Sequence, residues 1–367
     1  MEQKLESILV KVAHPLGVDE PLREYQIVTA GHINDTYRVK FGDVFYTMQR
    51  VNRYVFKNPK AIMSNIDLVT HHLRKKIRED GGDPERETLR YLRDSERRNY
   101  VLPDGENGDF WRMSLYIDKC CTYNVVTDQK MLVSAGNGFG KFQRRLTDFP
   151  ADKLFETIPN FHNTPVRLND LFDAVEKDAC GRVKDCKKLI SVFEEQRDAC
   201  GKIIKLQQEG KIPLRVTHND TKFNNILIDD ATHEAVCVID LDTVMPGISC
   251  YDFGDAIRFA GNTAEEDEID LSRVTISMEN YESFTRGFMG AMNGMFTKEE
   301  NDNMAAAAII DTLEIGCRFL EDYLRGDKYF KIHYPTQNYN RAANQVKLAL
   351  DMIARYDEMD NIVKKYQ

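Results

Sequence analysis

The stretch His218-Asn219-Asp220-Thr221-Lys222-Phe223-Asn224-Asn225-Ile226-Leu227, followed by Val238-Ile239-Asp240-Leu241-Asp242, constrains this chain more than any other. It sets a His-x-Asp, an Asn five residues after that Asp, and a second Asp fifteen residues after the Asn. Leu214-Arg215-Val216-Thr217 before it reads as a strand. So do Ile226-Leu227-Ile228 and Ala235-Val236-Cys237-Val238-Ile239, joined by a turn at Asp229-Asp230-Ala231-Thr232. His, Asn and Asp are common in turns, because they hydrogen-bond locally and tolerate strained backbone. Here, however, short apolar strands each end in residues able to handle a proton or a metal, which a bare turn does not require. Phosphoryl transfer from a metal-bound nucleotide does require it. A hydroxyl nucleophile needs a carboxylate to orient it and accept its proton, and Asp220 is placed for that. The Mg²⁺ of the nucleotide needs hard oxygen ligands, which Asn225 and Asp240 offer.

Protein kinases use the related spacing H-R-D-x-x-x-x-N followed later by D-F-G. Asp240-Leu241-Asp242 stands where D-F-G would, and neither A-P-E nor an activation segment follows it. The chain therefore resembles kinases of small molecules rather than kinases of proteins. Asp252-Phe253-Gly254 is not the missing motif, since Asp252 lies 27 residues beyond Asn225. Asp252 is expected instead to start a helix and to hold the backbone amides of the catalytic loop. Gly136-Asn137-Gly138-Phe139-Gly140-Lys141 imitates a phosphate loop. A Walker A loop needs four residues between its glycines and a Ser or Thr after the Lys. Three residues separate Gly136 from Gly140, and Phe142 follows Lys141. The flanks read as helix, so close helix packing explains these glycines better.

Residues 24 to 52 read as a strand, a turn and two more strands. Kinases cover the nucleotide phosphates with a hairpin turn poor in side chains, and Gly31, Asn34 and Thr36 are candidates for such a turn. A helix is expected from Pro59 to Ile77, with Ile62, Ile66, Val69 and Leu73 at three- and four-residue steps. Tyr100-Val101-Leu102 is expected to pair with Phe110 to Tyr116 across a turn dense in turn formers. Residues 1–118 thus read as a small β-rich nucleotide-binding lobe with one helix. Tyr116 and Ile117 lie in the linker to the next lobe and are candidates for nucleotide contact. Residues 119–367 read as a larger catalytic and substrate-binding lobe, helical from Thr127 to Gly210 and again from Glu265 onward. The expected class is α+β, a two-lobed protein-kinase-like fold. On the third strand Gln49-Arg50 occupies the place of a phosphate-binding Lys, and the following helix lacks the usual Glu. Arg50 is the candidate for that role, with Asp67 as its partner.

With 42% hydrophobic residues among 367, the chain can bury a sizeable core in two or three packed units. Its net charge of −9 indicates no basic face for nucleic acid. The short runs Arg74-Lys75-Lys76 and Arg144-Arg145 read as solvated helix faces. The charged N-terminus lacks the apolar core of a signal peptide, and no run approaches the ~20 apolar residues of a membrane span. Eight scattered cysteines lack zinc-knuckle spacing and read as free thiols in a reducing cytosol. The expected setting is cytoplasmic, with neither nucleic acid nor membrane as a partner.

These motifs carry a resemblance. The chain resembles the aminoglycoside/choline kinase-like phosphotransferase superfamily, and within it the N-acetylhexosamine kinase branch, nearly end to end. The matching segments begin with Gly31-His32-Ile33-Asn34, Gln49-Arg50-Val51-Asn52 and Phe161-His162-Asn163-Thr164-Pro165. They continue through Arg215 to Lys222, Ile239 to Thr243, Met245-Pro246-Gly247 and Asp252-Phe253-Gly254-Asp255. They end with Arg318-Phe319-Leu320 and Asp322-Tyr323-Leu324. The resemblance implies ATP- and Mg²⁺-dependent phosphorylation of the anomeric hydroxyl of N-acetylglucosamine or N-acetylgalactosamine, giving the sugar 1-phosphate. By match of position Asp220 would be the base, with Asn225 and Asp240 the metal ligands. Lys222 would neutralise charge on the transferring phosphoryl group. His32, Asn163 and Arg318 fall in shared segments and are, with Asp220, the candidates for sugar contact. Each has a structural alternative: a hairpin cap for His32, a turn before Pro165 for Asn163, and a buried ion pair for Arg318. Rival substrates are an aminoglycoside, an amino alcohol or another sugar. A catalytically silent nucleotide-binding module would have lost Asp220, Asn225 or Asp240, and all three are present.

Overall fold

The computed structural model of the chain describes residues 2–28, 33–125 and 128–367. Helix α1 (Glu2–Ala13) precedes an antiparallel sheet of β1 (Leu22–Val28), β2 (Asp35–Phe41), β3 (Val44–Val51) and β4 (Phe110–Leu115), in that order across the sheet. Helix α2 (Pro59–Glu79) is inserted between β3 and β4. It begins at Asn58, whose side chain accepts from the Ala61 amide, with Pro59 at its first position.

Strand alternation sorts the sheet into two faces. Tyr37, Val39, Phe41, Tyr46, Met48, Trp111 and Met113 bury on one face against Leu9, Val12 and Ala13 of α1. The register Thr36↔Gln49↔Arg112 and Arg38↔Thr47↔Ser114 sets polar side chains on the other. Only one helix was expected in this region. Helix α1 is the second, and an apolar sheet face of this size requires such a cover. The expected pairing of Tyr100-Val101-Leu102 with β4 forms at one point only. Val101 bridges Trp111 and Tyr91 bridges Ser114 without a continuous strand, while Tyr100 turns to stack on Phe110 at 4.7 Å.

Past β4 the chain runs through Tyr116 and Ile117 to β5 (Cys120–Cys121), then to α3 (Gln129–Arg145), α4 (Thr164–Lys177), α5 (Val183–Glu195), α6 (Arg197–Cys200) and α7 (Lys202–Gln208). Four short strands follow: β6 (Arg215–Thr217), β7 (Ile226–Asp229), β8 (Ala235–Val238) and β9 (Met245–Gly247). Strand β7 lies between β5 and β8, and β6 pairs with β9. The chain then continues as α8 (Ser249–Ala260), α9 (Met278–Met292), α10 (Lys298–Asn301), α11 (Met304–Arg325), α12 (Gln337–Ala354) and α13 (Tyr356–Lys365). The sequence places the return of helix at Glu265, but regular helix resumes only at Met278. Residues 265–277 are held instead by polar contacts, with Asp351 accepting from the Thr275 hydroxyl and the Ile276 amide. The result is the expected α+β arrangement, an antiparallel sheet region followed by a larger helical part. No helix among the described residues is long and apolar enough to cross a membrane. All eight cysteines are free thiols.

The glycines of α3 show why the phosphate-loop reading fails. Gly136 lies against the Phe284 carbonyl of α9 and Gly140 against that of Phe288, while Gly287 of α9 meets the Val133 carbonyl of α3. The two helices thus approach backbone to backbone. Alanine is the better helix former by about 1 kcal/mol. A methyl at Gly136, however, would strike main-chain atoms that cannot rotate away, and overpacking of this kind costs roughly 1–3 kcal/mol or more. Gly136→Ala is therefore expected to lower stability despite its propensity gain, read as a fall in the urea midpoint.

Candidate active site

The loop from His218 to Lys222 leaves β6 and enters a 3₁₀ turn, Phe223–Asn225, that leads into β7. Asn219 adopts a left-handed conformation (φ 64°), so its neighbours cannot continue a ladder. Asp252, in the first turn of α8, accepts the His218 amide at 2.8 Å and the Asn219 amide at 2.7 Å, and Gln143 donates to the same carboxylate. Asp255, one residue short of a full turn further on, accepts the Thr221 amide at 2.7 Å. The expected amide-holding role of Asp252 is thus what forms. His218 is buried against Phe139 and Phe142, with Nε2 donating to the Ile239 carbonyl at 2.9 Å.

Between those pinned peptides, Asp220 turns toward the ends of the strands. Its Oδ2 lies 3.0 Å from Lys222 Nζ and accepts from Asn225 Nδ2 at 2.8 Å. Burial pushes this carboxyl up, but the Lys222 ammonium and the Asn225 amide outweigh it and hold it below its ordinary value. The same pair raises Lys222: burial lowers it, and Asp220 and Asp240 more than compensate. Asp240 stands at the end of β8, again left-handed (φ 58°). Burial and the neighbouring carboxylates of Asp242 and Asp220 push it up to about 6. Asp240 and the side-chain carbonyl of Asn225 offer hard oxygens beside Asp220, the type of donor that suits a small divalent cation. Asp220, Lys222, Asn225 and Asp240 are therefore brought together.

Asp242 is engaged otherwise. It is 2% exposed and takes both terminal nitrogens of Arg112 from β4, together with Asn34 Nδ2 at 2.6 Å. Arg112 Nε donates to Gln49 at 2.9 Å, and Gln49 donates to Thr36 at 3.1 Å. This chain of contacts joins the polar face of the sheet to the strand end bearing Asp240. Asn34 and Thr36 belong to it; Arg50 does not. Arg50 shares the opposite face with Asp35 and Trp111, half exposed, and pairs with Asp35 and Asp109. Its expected partner Asp67 binds Arg93 instead. Adjacent strand residues point to opposite faces, so Gln49 and Arg50 could not both reach the cleft. Arg112 is the cation that sequence reasoning missed. The only available sign was its place in a strand of buried residues.

Tyr116 and Ile117 lie in the connection to β5. The Arg38 guanidinium stacks over Phe45 at 4.0 Å and Tyr116 at 5.0 Å, which makes a flat rim there. Asn163 caps α4, accepting from the Val166 amide, and donates to Asn160, so its turn-forming alternative is what the structure shows. Arg318 lies among the rings of Phe161, Phe330 and Tyr329, 5.3 to 5.9 Å from their centroids. Among the described residues it has no ion pair, contrary to its structural alternative. Gly31 and His32 lie outside the described residues.

Residues 24–276 match the phosphotransferase enzyme family. Several solved structures share the fold at low identity. A microcompartment-associated aminopropanol kinase aligns at TM-score 0.58 and 14% identity, over 99% of each chain. Choline kinase from Cryptosporidium parvum aligns at 0.57 and 13%, over 100% of this chain and 99% of that one. Spectinomycin phosphotransferase, solved with ADP and spectinomycin, aligns at 0.55 and 11%, over 97% and 98%.

Two substitutions separate the buried arginine from the exposed one. Removing one partner of a buried pair leaves an uncompensated charge and costs roughly 3–5 kcal/mol. Arg112→Leu is expected to lose about that much in urea denaturation, and Arg112→Leu with Asp242→Leu to lose less than the single change. Arg50→Ala is expected to leave the KM for ATP within about twofold, since Arg50 lies on the sheet face opposite Gln49, paired with Asp35 and Asp109.

Proposed function

We propose, from the premise that the chain belongs to the phosphotransferase enzyme family, that it transfers the γ-phosphoryl group of ATP to the anomeric hydroxyl of an N-acetylhexosamine. The observation that carries this reading is the cluster of Asp220, Lys222, Asn225 and Asp240 at one set of strand ends. Asp220, kept ionised by Lys222, orients the sugar hydroxyl and collects its proton as the phosphoryl group departs. An anomeric hydroxyl is more acidic than an ordinary alcohol, so a carboxylate of depressed basicity suffices. Lys222, within reach of the same oxygen, offsets negative charge on the transferring group. Asn225 and Asp240 are the residues that would hold Mg²⁺, which supplies charge neutralisation on the nucleotide phosphates.

In this reading residues 1–118 hold the nucleotide against the polar sheet face, near Asn34, Thr36 and the Tyr116–Ile117 linker. Residues 119–367 supply the chemistry and receive the sugar. Two features support an uncharged substrate. The segment Phe161-His162-Asn163-Thr164-Pro165 and Arg318-Phe319-Leu320 resemble the hexosamine branch. Among the described residues Arg318 also has no salt-bridge partner within 4 Å, and its guanidinium lies on an aromatic shelf. A cation there repels aminoglycosides and amino alcohols, whereas sugar hydroxyls and an acetamido carbonyl can accept its hydrogen bonds.

The test is ATP consumption with Mg²⁺ against N-acetylglucosamine, N-acetylgalactosamine, glucose, galactose, choline and kanamycin, with ³¹P NMR of the product. An anomeric phosphate on the N-acetylated sugars is expected; turnover confined to choline or kanamycin overturns the substrate. Asp220→Asn should keep the fold and ATP binding and lower kcat by ~10²–10⁴-fold. Near-normal turnover in that variant removes Asp220 as the base.

A further inference from the structure

Beneath the catalytic loop lies a buried ionisable set with no direct part in the transfer. His162, just before α4, is pressed between the loop and α11. Its ring stacks on Tyr251 at 5.3 Å, with Phe161 edge-on at 4.7 Å. Nδ1 faces Glu314 Oε1 at 3.0 Å and Asp311 Oδ1 at 3.4 Å. Nε2 faces the Asn219 carbonyl oxygen at 3.4 Å. These are acceptors on both sides, and a neutral imidazole has only one N–H to give.

We propose that His162 is held as an imidazolium whose two N–H groups tie the Asn219 carbonyl to Glu314 of α11, making it a positioning residue for Asp220. This rests on the reading of Asp220 as the base. Asn219 is left-handed, a conformation that a non-glycine residue keeps only where its surroundings over-determine it. Its amide is held by Asp252, and its side chain donates to the Thr243 carbonyl at 2.8 Å. His162 holds the remaining backbone group of Asn219, the carbonyl of its peptide with Asp220. With Thr221 held by Asp255, the main chain on both flanks of Asp220 is then fixed.

The surrounding charges agree. From α11, Glu314 and Asp311 face the ring, with Arg318 further along the helix; from α8, Asp255, Arg258 and the Tyr251 phenol face the same pocket. Burial disfavours a charged ring, but the neighbouring carboxylates, Glu314 foremost, outweigh it and carry His162 up to about 9. Burial and Asp255 push Asp311 up to about 8, and neither of its oxygens has a hydrogen-bond partner. Glu314, which also accepts from Thr164 at 2.6 Å, is therefore the ionised partner. Because the folded pKa is raised, both bonds are intact at neutral pH. One is lost as pH rises through about 9.

The first measurement is ¹⁵N-resolved NMR of the histidine rings in the unaltered protein near neutral pH. Two protected N–H signals from one buried ring are expected, and a single one overturns the proposal. His162→Gln should lower kcat ~10–100-fold through misplacement of Asp220, with the KM for ATP within about twofold. Glu314→Gln should move the alkaline limb of the kcat profile to lower pH. An unchanged kcat in His162→Gln, or an unmoved limb in Glu314→Gln, overturns the assignment. Should either variant fail to fold, the ring N–H count decides. Normal turnover of Asp220→Asn would instead remove the base, leaving that count unaffected.

Discussion

The Asp252 carboxylate, accepting the amides of His218 and Asn219, is the contact on which the geometry of the cleft depends. A left-handed residue in the loop takes those amides out of any ladder, and a buried amide left unpaired costs roughly 1–3 kcal/mol. Helix α8 removes that penalty with Asp252 and Asp255, three residues apart and so on one side of the helix. The helix is in turn set by close approach to α11, where a Cβ on Gly254 would lie 2.8 Å from the Ala307 carbonyl oxygen. The direction of the Asp220 carboxylate is thus traceable to the packing of two helices.

Charge is arranged on a second principle. The cleft gathers Asp220, Asp240 and Asp242 in a chain that is already net negative. Such crowding persists because each carboxylate meets a different answer. Asp220 has Lys222 and Asn225, and Asp242 has Arg112 and Asn34. Asp240 is left with its carboxyl raised, the group in the cluster with most to gain from a cation. A buried pair such as Arg112–Asp242 adds little net stability, because desolvation offsets most of the Coulomb attraction. Its contribution is geometric: it joins the sheet that carries Thr36 and Gln49, with Asn34 just before β2, to the strand end that carries Asp240.

Much of this was legible in the residue order. The strands at 215–217, 226–229 and 235–238 lie where short apolar runs and turn residues put them. The glycines of α3 could be told from a phosphate loop by spacing alone, and they serve helix packing. Arg50 was misread for a definite reason. Gln49 and Arg50 are neighbours on a strand, and alternation assigns them to opposite faces without saying which face is the cleft. That is decided by α1, which covers the Met48 side, and α1 itself carries no motif. Arg112 was missed because a basic residue within an apolar strand gives no sign of its partner.

What is local could be read from the residue order: the succession of strands, the spacing of Asp220, Asn225 and Asp240, and the turn-forming residues that carry them. Backbone preferences and side-chain periodicity act over a few residues, so such features can be read along the chain. Tertiary structure alone decided which distant groups meet. Arg112 finds Asp242 130 positions away, and His162 joins Asn219, 57 positions on, to Glu314, 152 positions on. Those partnerships exist because buried charges and amides must be satisfied by whatever the packed helices and strands bring within reach.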